Sequence, residues 1–446
     1  MAGAVLYPQL DGDYPVAVRA AGSYIWDRDG KAYLDGSSGA IVVNIGHGVP
    51  EVLQAVRDQL AELTYVTRLQ FTNPWAEQLA AELVELAPGE LDHVFFTNSG
   101  SEAIEAAVRL AVQYWQELGQ SERTVLISRQ GSYHGATLGA IGLSGHPARR
   151  RTVEPLLPAW PRASAANCYD CPFGRTRADC ALECADSIEQ AILRAGPANV
   201  AAVVIEPVVG ASGGAVAAPA GYLAEVQRIC RRHGVLLVCD EVISGLGRTG
   251  DWFGGDADGL EPDLLVLGKG VSGGYAPLGA VLLSGRIHAA IAGGSGQFSL
   301  GHTYAANPLS TATGLAVLRY VRQHELPERA RRLGPVLAGR LRALLDERGI
   351  VADVRGRGLL LAVDFSRPGR PPQCTATDIV AAARRAGLLL YPAGVSDVPQ
   401  VVIVAPPLTI DAEDLEHLVE LFGIAVDSVL GRTNRPDVID QEGAVR

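Results

Sequence analysis

Of the 38 basic residues in this 446-residue chain, two are lysines, Lys31 and Lys269, and the others are arginines. Arginine serves surface solubility about as well as lysine, so a bias toward it would remove most exposed lysines. A guanidinium does not give up its proton near neutral pH and attack a carbonyl. A lysine that survives the bias is therefore a candidate for amine chemistry. Lys269 stands between Gly268 and Gly270, just past the apolar run Leu264–Leu267. An amine there is partly desolvated, which lowers its pKa and frees its lone pair. Lys31 follows Asp29-Gly30, between Tyr24-Ile25-Trp26 and Ala32-Tyr33-Leu34, and reads as the flank of a hairpin.

Three other segments gather chemistry-bearing residues. Thr97-Asn98-Ser99-Gly100-Ser101-Glu102-Ala103 opens a helix. Glycine permits close backbone approach, hydroxyls donate hydrogen bonds and a helix N-terminus favours an anion, so the segment suits a phosphate. It also reads as a capping box, because Glu102 follows Ser99 by three residues, and the two readings are compatible. Asp240-Glu241-Val242 ends the apolar run 235–239. A carboxylate there either orients a cationic ring nitrogen or caps the next turn of the chain. Finally, Cys168, Cys171, Cys180 and Cys184 fall within 17 residues. Their spacing suits tetrahedral thiolate ligation of zinc or an iron–sulfur cluster, but it suits a loop of free thiols better, and no metal is expected. Cys230 and Cys239 read as core.

The elements that must hold these residues are short apolar runs alternating with helical stretches. The runs are 94–96, 125–127, 203–205, 235–239, Leu264–Leu267 and 280–283; they are continuous in polarity, as suits parallel strands buried on both faces. Between them lie helices at 102–118, with Ala103, Ala107, Leu110, Ala111 and Tyr114 at helical spacing, and at 222–232. The alternation predicts a doubly wound α/β sheet, whose ligands bind beyond the carboxyl ends of the strands. After a helix at 309–322 come arginine-rich helices at 327–348, a strand at 359–365, a helix at Ala376–Ala386 and strands near 388–390 and Val401–Val404. These predict a smaller α+β domain. The expected division is an N-terminal segment of the small domain at 1–75, a large domain at 76–325 and the remaining small domain at 326–446, with a tail after Gly431 that frays.

The formal charge of −11 disfavours a nucleic-acid partner, which needs a positive footprint. No apolar run approaches the ~20 residues that cross a bilayer. The best, 199–223, is broken by Glu206, Pro207 and several glycines. Residues 1–13 carry no basic and apolar leader pattern, so a cytoplasmic protein is expected.

Taken in order, Ser99-Gly100-Ser101-Glu102-Ala103, Tyr133-His134-Gly135, Glu206-Pro207, Asp240-Glu241-Val242, Gly245-Leu246-Gly247-Arg248-Thr249-Gly250, Gly268-Lys269-Gly270, Gly301-His302-Thr303-Tyr304 and Ala405-Pro406-Pro407-Leu408 resemble the class III aminotransferases, of the ω type, which are fold type I pyridoxal 5′-phosphate enzymes. The ordered set spans about 24–430. The resemblance implies that Lys269 holds the cofactor as a Schiff base and then moves the substrate proton. It implies that Asp240 pairs with the ring nitrogen and that Tyr133 stacks on the ring. Ser99, Gly100 and Ser101 would hold the phosphate, with Val242, Glu206 and His134 lining the cofactor site. Thr303 would reach the phosphate of a neighbouring subunit's cofactor, which makes a homodimer with shared active sites the expected partner. The small-molecule partners would be an amine or ω-amino donor and a 2-oxo acid.

Several relatives acting on α-amino acids place an arginine where this chain has Ile403. No guanidinium at that place can clamp a carboxylate, which resembles the ω branch. Arg68 is a candidate for the acid's partner. Racemisation, epimerisation and decarboxylation use the same Lys269 and Asp240 and stay open as alternatives. A non-catalytic protein on this scaffold would have no use for its rare lysine. A nucleotide-binding dehydrogenase is disfavoured because no Gly-x-Gly-x-x-Gly follows a strand with an acidic residue in place.

Overall fold

A computed structural model of the chain describes residues 4–8, 10, 12–366 and 374–431. The tail beyond Gly431 lies outside the described residues. At its centre is a seven-stranded sheet, in spatial order Leu91–Thr97, Gly279–Ser284, Leu264–Leu267, Leu236–Asp240, Val200–Ile205, Val125–Arg129 and Arg162–Ala163. Every neighbouring pair is parallel except the two made by Gly279–Ser284, which runs against the others. The expectation of a parallel strand at 280–283 is thereby corrected. The strand is buried along its whole length, and a strand covered on both faces shows the same continuous apolar run in either direction.

Alternate strand residues feed opposite faces, as the two-residue period requires. Leu126, Val204, Val238 and Val266 pack with Ala103, Ala107, Leu110 and Ala111 of the helix Gly100–Glu117. Ile127, Val203, Ile205 and Leu237 pack with the helices Glu183–Ala195 and Tyr222–His233 on the other face. There too, Leu265, Leu267, Ala280 and Leu282 meet the helices Pro74–Leu86 and Pro308–Gln323. Each fully buried aliphatic side chain in these layers contributes roughly 1.5–3 kcal/mol. Cys230 and Cys239 lie buried within this packing.

A second, four-stranded sheet is antiparallel: Asp353–Arg357, Leu360–Asp364, Val401–Val404 and Tyr391–Ala393. The helices Leu326–Glu347, Ala376–Ala386 and Ala412–Leu430 share one apolar cluster with it. The N-terminal hairpin pairs Tyr24–Asp27 with Ala32–Asp35, and the latter also runs parallel to Leu388–Leu389, so the two ends of the chain meet in one sheet. Lys31 flanks this hairpin, and its ammonium donates to the carbonyls of Arg384 and Arg385 at the end of the helix Ala376–Ala386. Among the described residues no helix is long and apolar enough to cross a membrane.

Candidate active site

The carboxyl ends of three adjacent central strands bring together Glu206, Asp240 and Lys269. Asp240 is the last residue of its strand and is 5% exposed. Its Oδ1 accepts from the amide of Val242 (3.1 Å), and its Oδ2 lies 2.7 Å from Nδ1 of His134. His134 is itself buried, its backbone held by Ser144 Oγ (2.8 Å), while its Nε2 has no partner. Glu206 follows the strand Val200–Ile205 and accepts from the amides of Tyr133 (3.1 Å) and Gly210 (3.0 Å). Burial raises its pKa, with the Asp240 charge acting the same way.

Lys269 comes two residues after Leu264–Leu267 and begins a short 3₁₀ turn, with φ at +45°. That left-handed value is uncommon and costly for a side chain with a Cβ. The flanking glycines have steric reasons. A Cβ at Gly268 would lie 3.2 Å from the Gly100 Cα, and one at Gly270 would collide with the Asn44 side-chain amide. Asn44 is fixed in turn by Arg248, which is fully buried and also donates to the carbonyls of Leu359 and Pro406 and to Ser38. The Lys269 pKa is lowered from 10.5 to about 8, mainly by burial; Asp240 and Glu206 oppose the shift and Arg149 adds to it.

Beside the lysine turn lies the N-terminus of the helix Gly100–Glu117. Ser99 is its N-cap and accepts from the Glu102 amide (3.2 Å). The Glu102 carboxylate does not complete a capping box on Ser99; it takes the amide and side chain of Asn98 (2.8 Å each), one residue further back. Amides in a first helical turn have no intrahelical acceptor, so those of Gly100 and Ser101 are left for a ligand. Gly100 is needed because a Cβ there would come within 2.9 Å of Val242, and this contact ties the helix start to the residue that hydrogen-bonds Asp240. Ser101 Oγ accepts from the Ala136 amide (3.1 Å) and so joins the helix start to the Tyr133-His134-Gly135 loop.

Other expected residues stand apart. Thr303 is exposed on the segment after Gly301; its carbonyl accepts from the Tyr65 hydroxyl (3.1 Å), and no hydrogen bond links it to the Lys269 group among the described residues. Arg68 is also exposed there, over the Phe95 ring, and it donates to the Leu300 carbonyl. Ile403 is fully buried in an apolar cluster with Ile41, Val208, Leu360 and Ala362. Cys168, Cys171 and Cys180 line a cavity of about 380 Å³, all seven cysteines are free thiols, and among the described residues no three His, Cys, Asp or Glu groups are arranged to hold a metal.

One residue escaped the sequence reading. Arg149 places its guanidinium over the Tyr133 ring, 4.6 Å from the centroid. It lies in an arginine triplet, and in a chain whose basic residues are nearly all arginine the residue type carries no signal.

The grouped residues offer a weakly basic amine, a carboxylate fixed at a strand end and an anion-binding helix start. The Aminotransferase class-III family profile matches residues 10–426. The uncharacterized aminotransferase YodT of Bacillus subtilis (strain 168) is 42% identical over 96% of this chain and 98% of its own length. Among solved structures, an (S)-enantioselective omega-transaminase from Thermomicrobium roseum is 36% identical, with a TM-score of 0.88 over 94% of this chain and 93% of that one. An amine transaminase from an uncultivated Pseudomonas species, solved in a PLP-bound (internal aldimine) form, is 33% identical, with a TM-score of 0.88 over 96% and 97%.

Proposed function

This chain belongs to the class-III aminotransferases, and from that premise we propose how its residues carry the transfer and which substrates they serve. Enzymes of this family depend on pyridoxal phosphate, which when bound supplies an aldehyde that takes up the amino group and a ring that accepts the electrons released at the substrate carbon. The residues present fit that group. At the start of the helix Gly100–Glu117 the amides of Gly100 and Ser101 have no intrahelical acceptor and are free for the phosphate. Asp240, braced by His134, supplies a fixed negative charge for the ring nitrogen.

In this reading Lys269 anchors the cofactor and then, as a neutral amine, removes the proton from the substrate carbon. Its pKa near 8 puts a useful share of the free base within reach at neutral pH. Asp240 keeps a proton on the ring nitrogen. His134 prevents the carboxylate from turning away, and Tyr133 would stack on the cofactor ring. The helix start at Ser99, Gly100 and Ser101 would receive the phosphate, with Val242, which packs against Gly100, lining the site. Glu206 fixes the Tyr133 backbone. The observation that carries the reading is the convergence of Lys269, Asp240 and Glu206 at adjacent strand ends, with the lysine pKa lowered.

The donor we propose is an amine or ω-amino compound and the acceptor a 2-oxo acid. Burial of Ile403 in apolar packing supports this, since that place offers no cation to a donor carboxylate. We also propose a cytoplasmic homodimer in which Thr303 completes the phosphate site of the neighbouring subunit. Exposed Leu69 and Phe71, on the segment that Tyr65 ties to Thr303, and exposed Tyr304 beside it support a covered surface there. The division at residues 75 and 325 remains our reading of the domains.

The test is the visible spectrum of cofactor-loaded protein before and after amine donors, without acceptor. Transfer predicts that one donor removes the visible band and that a 2-oxo acid restores it. A band unchanged by the whole panel would instead favour racemase chemistry if the donor carbon exchanges its proton, or decarboxylase chemistry if a carboxylated donor releases carbon dioxide; the aminotransferase relatives favour neither.

A further inference from the structure

Three consecutive arginines, Arg149, Arg150 and Arg151, have three different surroundings. Arg150 is buried; it donates to the carbonyls of Ile141, Gly142 and Ser144 and pairs with Glu154 at 2.9 Å. Arg151 pairs with Asp397 on the surface at 2.6 Å. Arg149 has no carboxylate within ion-pair distance among the described residues. Its guanidinium lies over the Tyr133 ring, and the Tyr391 hydroxyl is close enough to interact with its charge. Tyr391 faces Ile403 across the strand pair and packs at the edge of the apolar cluster that buries it.

Folding has therefore supplied Arg150 and Arg151 with anions and left Arg149 against an aromatic face. A guanidinium so placed keeps donors free for a planar, bidentate acceptor. The neighbours say where such an acceptor would come from. Tyr133 precedes His134, whose ring holds Asp240, and the Arg149 charge is felt at Lys269. The cation thus borders the reacting centre, whereas Ile403 contributes packing alone.

We propose that Arg149 binds the carboxylate of the 2-oxo acid acceptor, held in position against the Tyr133 ring. The inference rests on the aminotransferase reading above. It makes Arg149, rather than Arg68, the partner of the acid. Arg68 spends a donor on the Leu300 carbonyl and rests on Phe95, outside the Lys269 group. Amine donors without a carboxylate would bind without engaging Arg149, so one centre would accept both substrate classes in turn.

The experiment uses the cofactor-loaded enzyme and two acceptors of equal carbon number, pyruvate and propanal, with an amine donor that has no carboxylate. Arg149→Leu is expected to lower the ratio of kcat/KM for pyruvate over propanal by about 10- to 100-fold, the range for a lost charge-assisted hydrogen bond, chiefly through the pyruvate KM. Arg149→Lys should recover part of the ratio, as a point charge without the fork. Tyr391→Phe, which removes the hydroxyl next to the guanidinium, should lower it by severalfold. Propionate, which cannot react, should bind the wild type and lose affinity in parallel, read by its perturbation of the visible band. A ratio and a propionate affinity within twofold of wild type in Arg149→Leu would overturn the proposal and leave Arg149 as packing on Tyr133. If Arg149→Leu does not fold, Arg149→Lys and Tyr391→Phe decide by the same ratio. Propionate binding with no transfer from any amine would count against the aminotransferase reading while supporting the assignment of Arg149.

Discussion

The two lysines occupy turns that look alike in sequence, each beside glycine and an apolar run, yet they do opposite things. Lys31 lies at the surface, where its ammonium caps two carbonyls at the end of the helix Ala376–Ala386 and rides 4.9 Å above the Tyr33 ring. Its charge is satisfied by the helix dipole and by water. Lys269 points into the junction of three strand ends, where burial outweighs two nearby carboxylates and draws its pKa down to about 8. Depth, rather than turn type, separates a lysine that stabilises from one that can react.

The conservative swap should break the comparison most sharply. Lys269→Arg keeps a cation but removes any neutral amine, so turnover should fall by at least about a thousandfold, measured as amino transfer with added cofactor. Lys31→Arg should leave the rate within twofold. Next in size, Asp240→Asn removes the charge held by His134 and should slow transfer by about a hundredfold, as expected for a charged hydrogen bond worth roughly 2–3 kcal/mol. Circular dichroism and cofactor titration would separate this from loss of fold.

The lowered pKa gives a pH signature. Below about pH 8 Lys269 is protonated in the cofactor-free protein and has no lone pair; raising the pH through that value frees it. The rate of cofactor loading should rise about tenfold per pH unit below 8 and level off above it, rather than climbing toward the ordinary lysine value of 10.5. Stopped-flow absorbance would follow it. The smallest effect belongs to Lys31→Met, which removes two carbonyl hydrogen bonds and a ring contact at the surface. Thermal unfolding should register a loss of at most about 1 kcal/mol, with transfer unaffected.

Most of the candidate site could be read from the chain because its parts sit at strand ends, where backbone geometry dictates residue type. Glycine beside Lys269 and at position 100 reflects close approaches to Asn44 and Val242, and the rarity of lysine made its survival informative. Packing decided what could not be read. The reversed strand Gly279–Ser284 is buried on both faces and carries no mark of its direction. Glu102 chose Asn98 over Ser99, a difference of one residue in side-chain reach. Arg149, Arg150 and Arg151 are identical in type and distinct only in their tertiary neighbours.

The left-handed backbone at Lys269 has a consequence for how this sequence can drift. Glycine, and to a lesser degree asparagine, adopts a φ near +45° at less cost than lysine. Replacing the lysine by glycine would relieve that strain and also the cost of burying an amine. The position works against the stability of its own fold, so a lineage selected only for robustness would discard this residue early. On the role proposed for Lys269, a thermostability screen without an activity filter would enrich inactive variants here, and the lysine persists only while that chemistry is being selected.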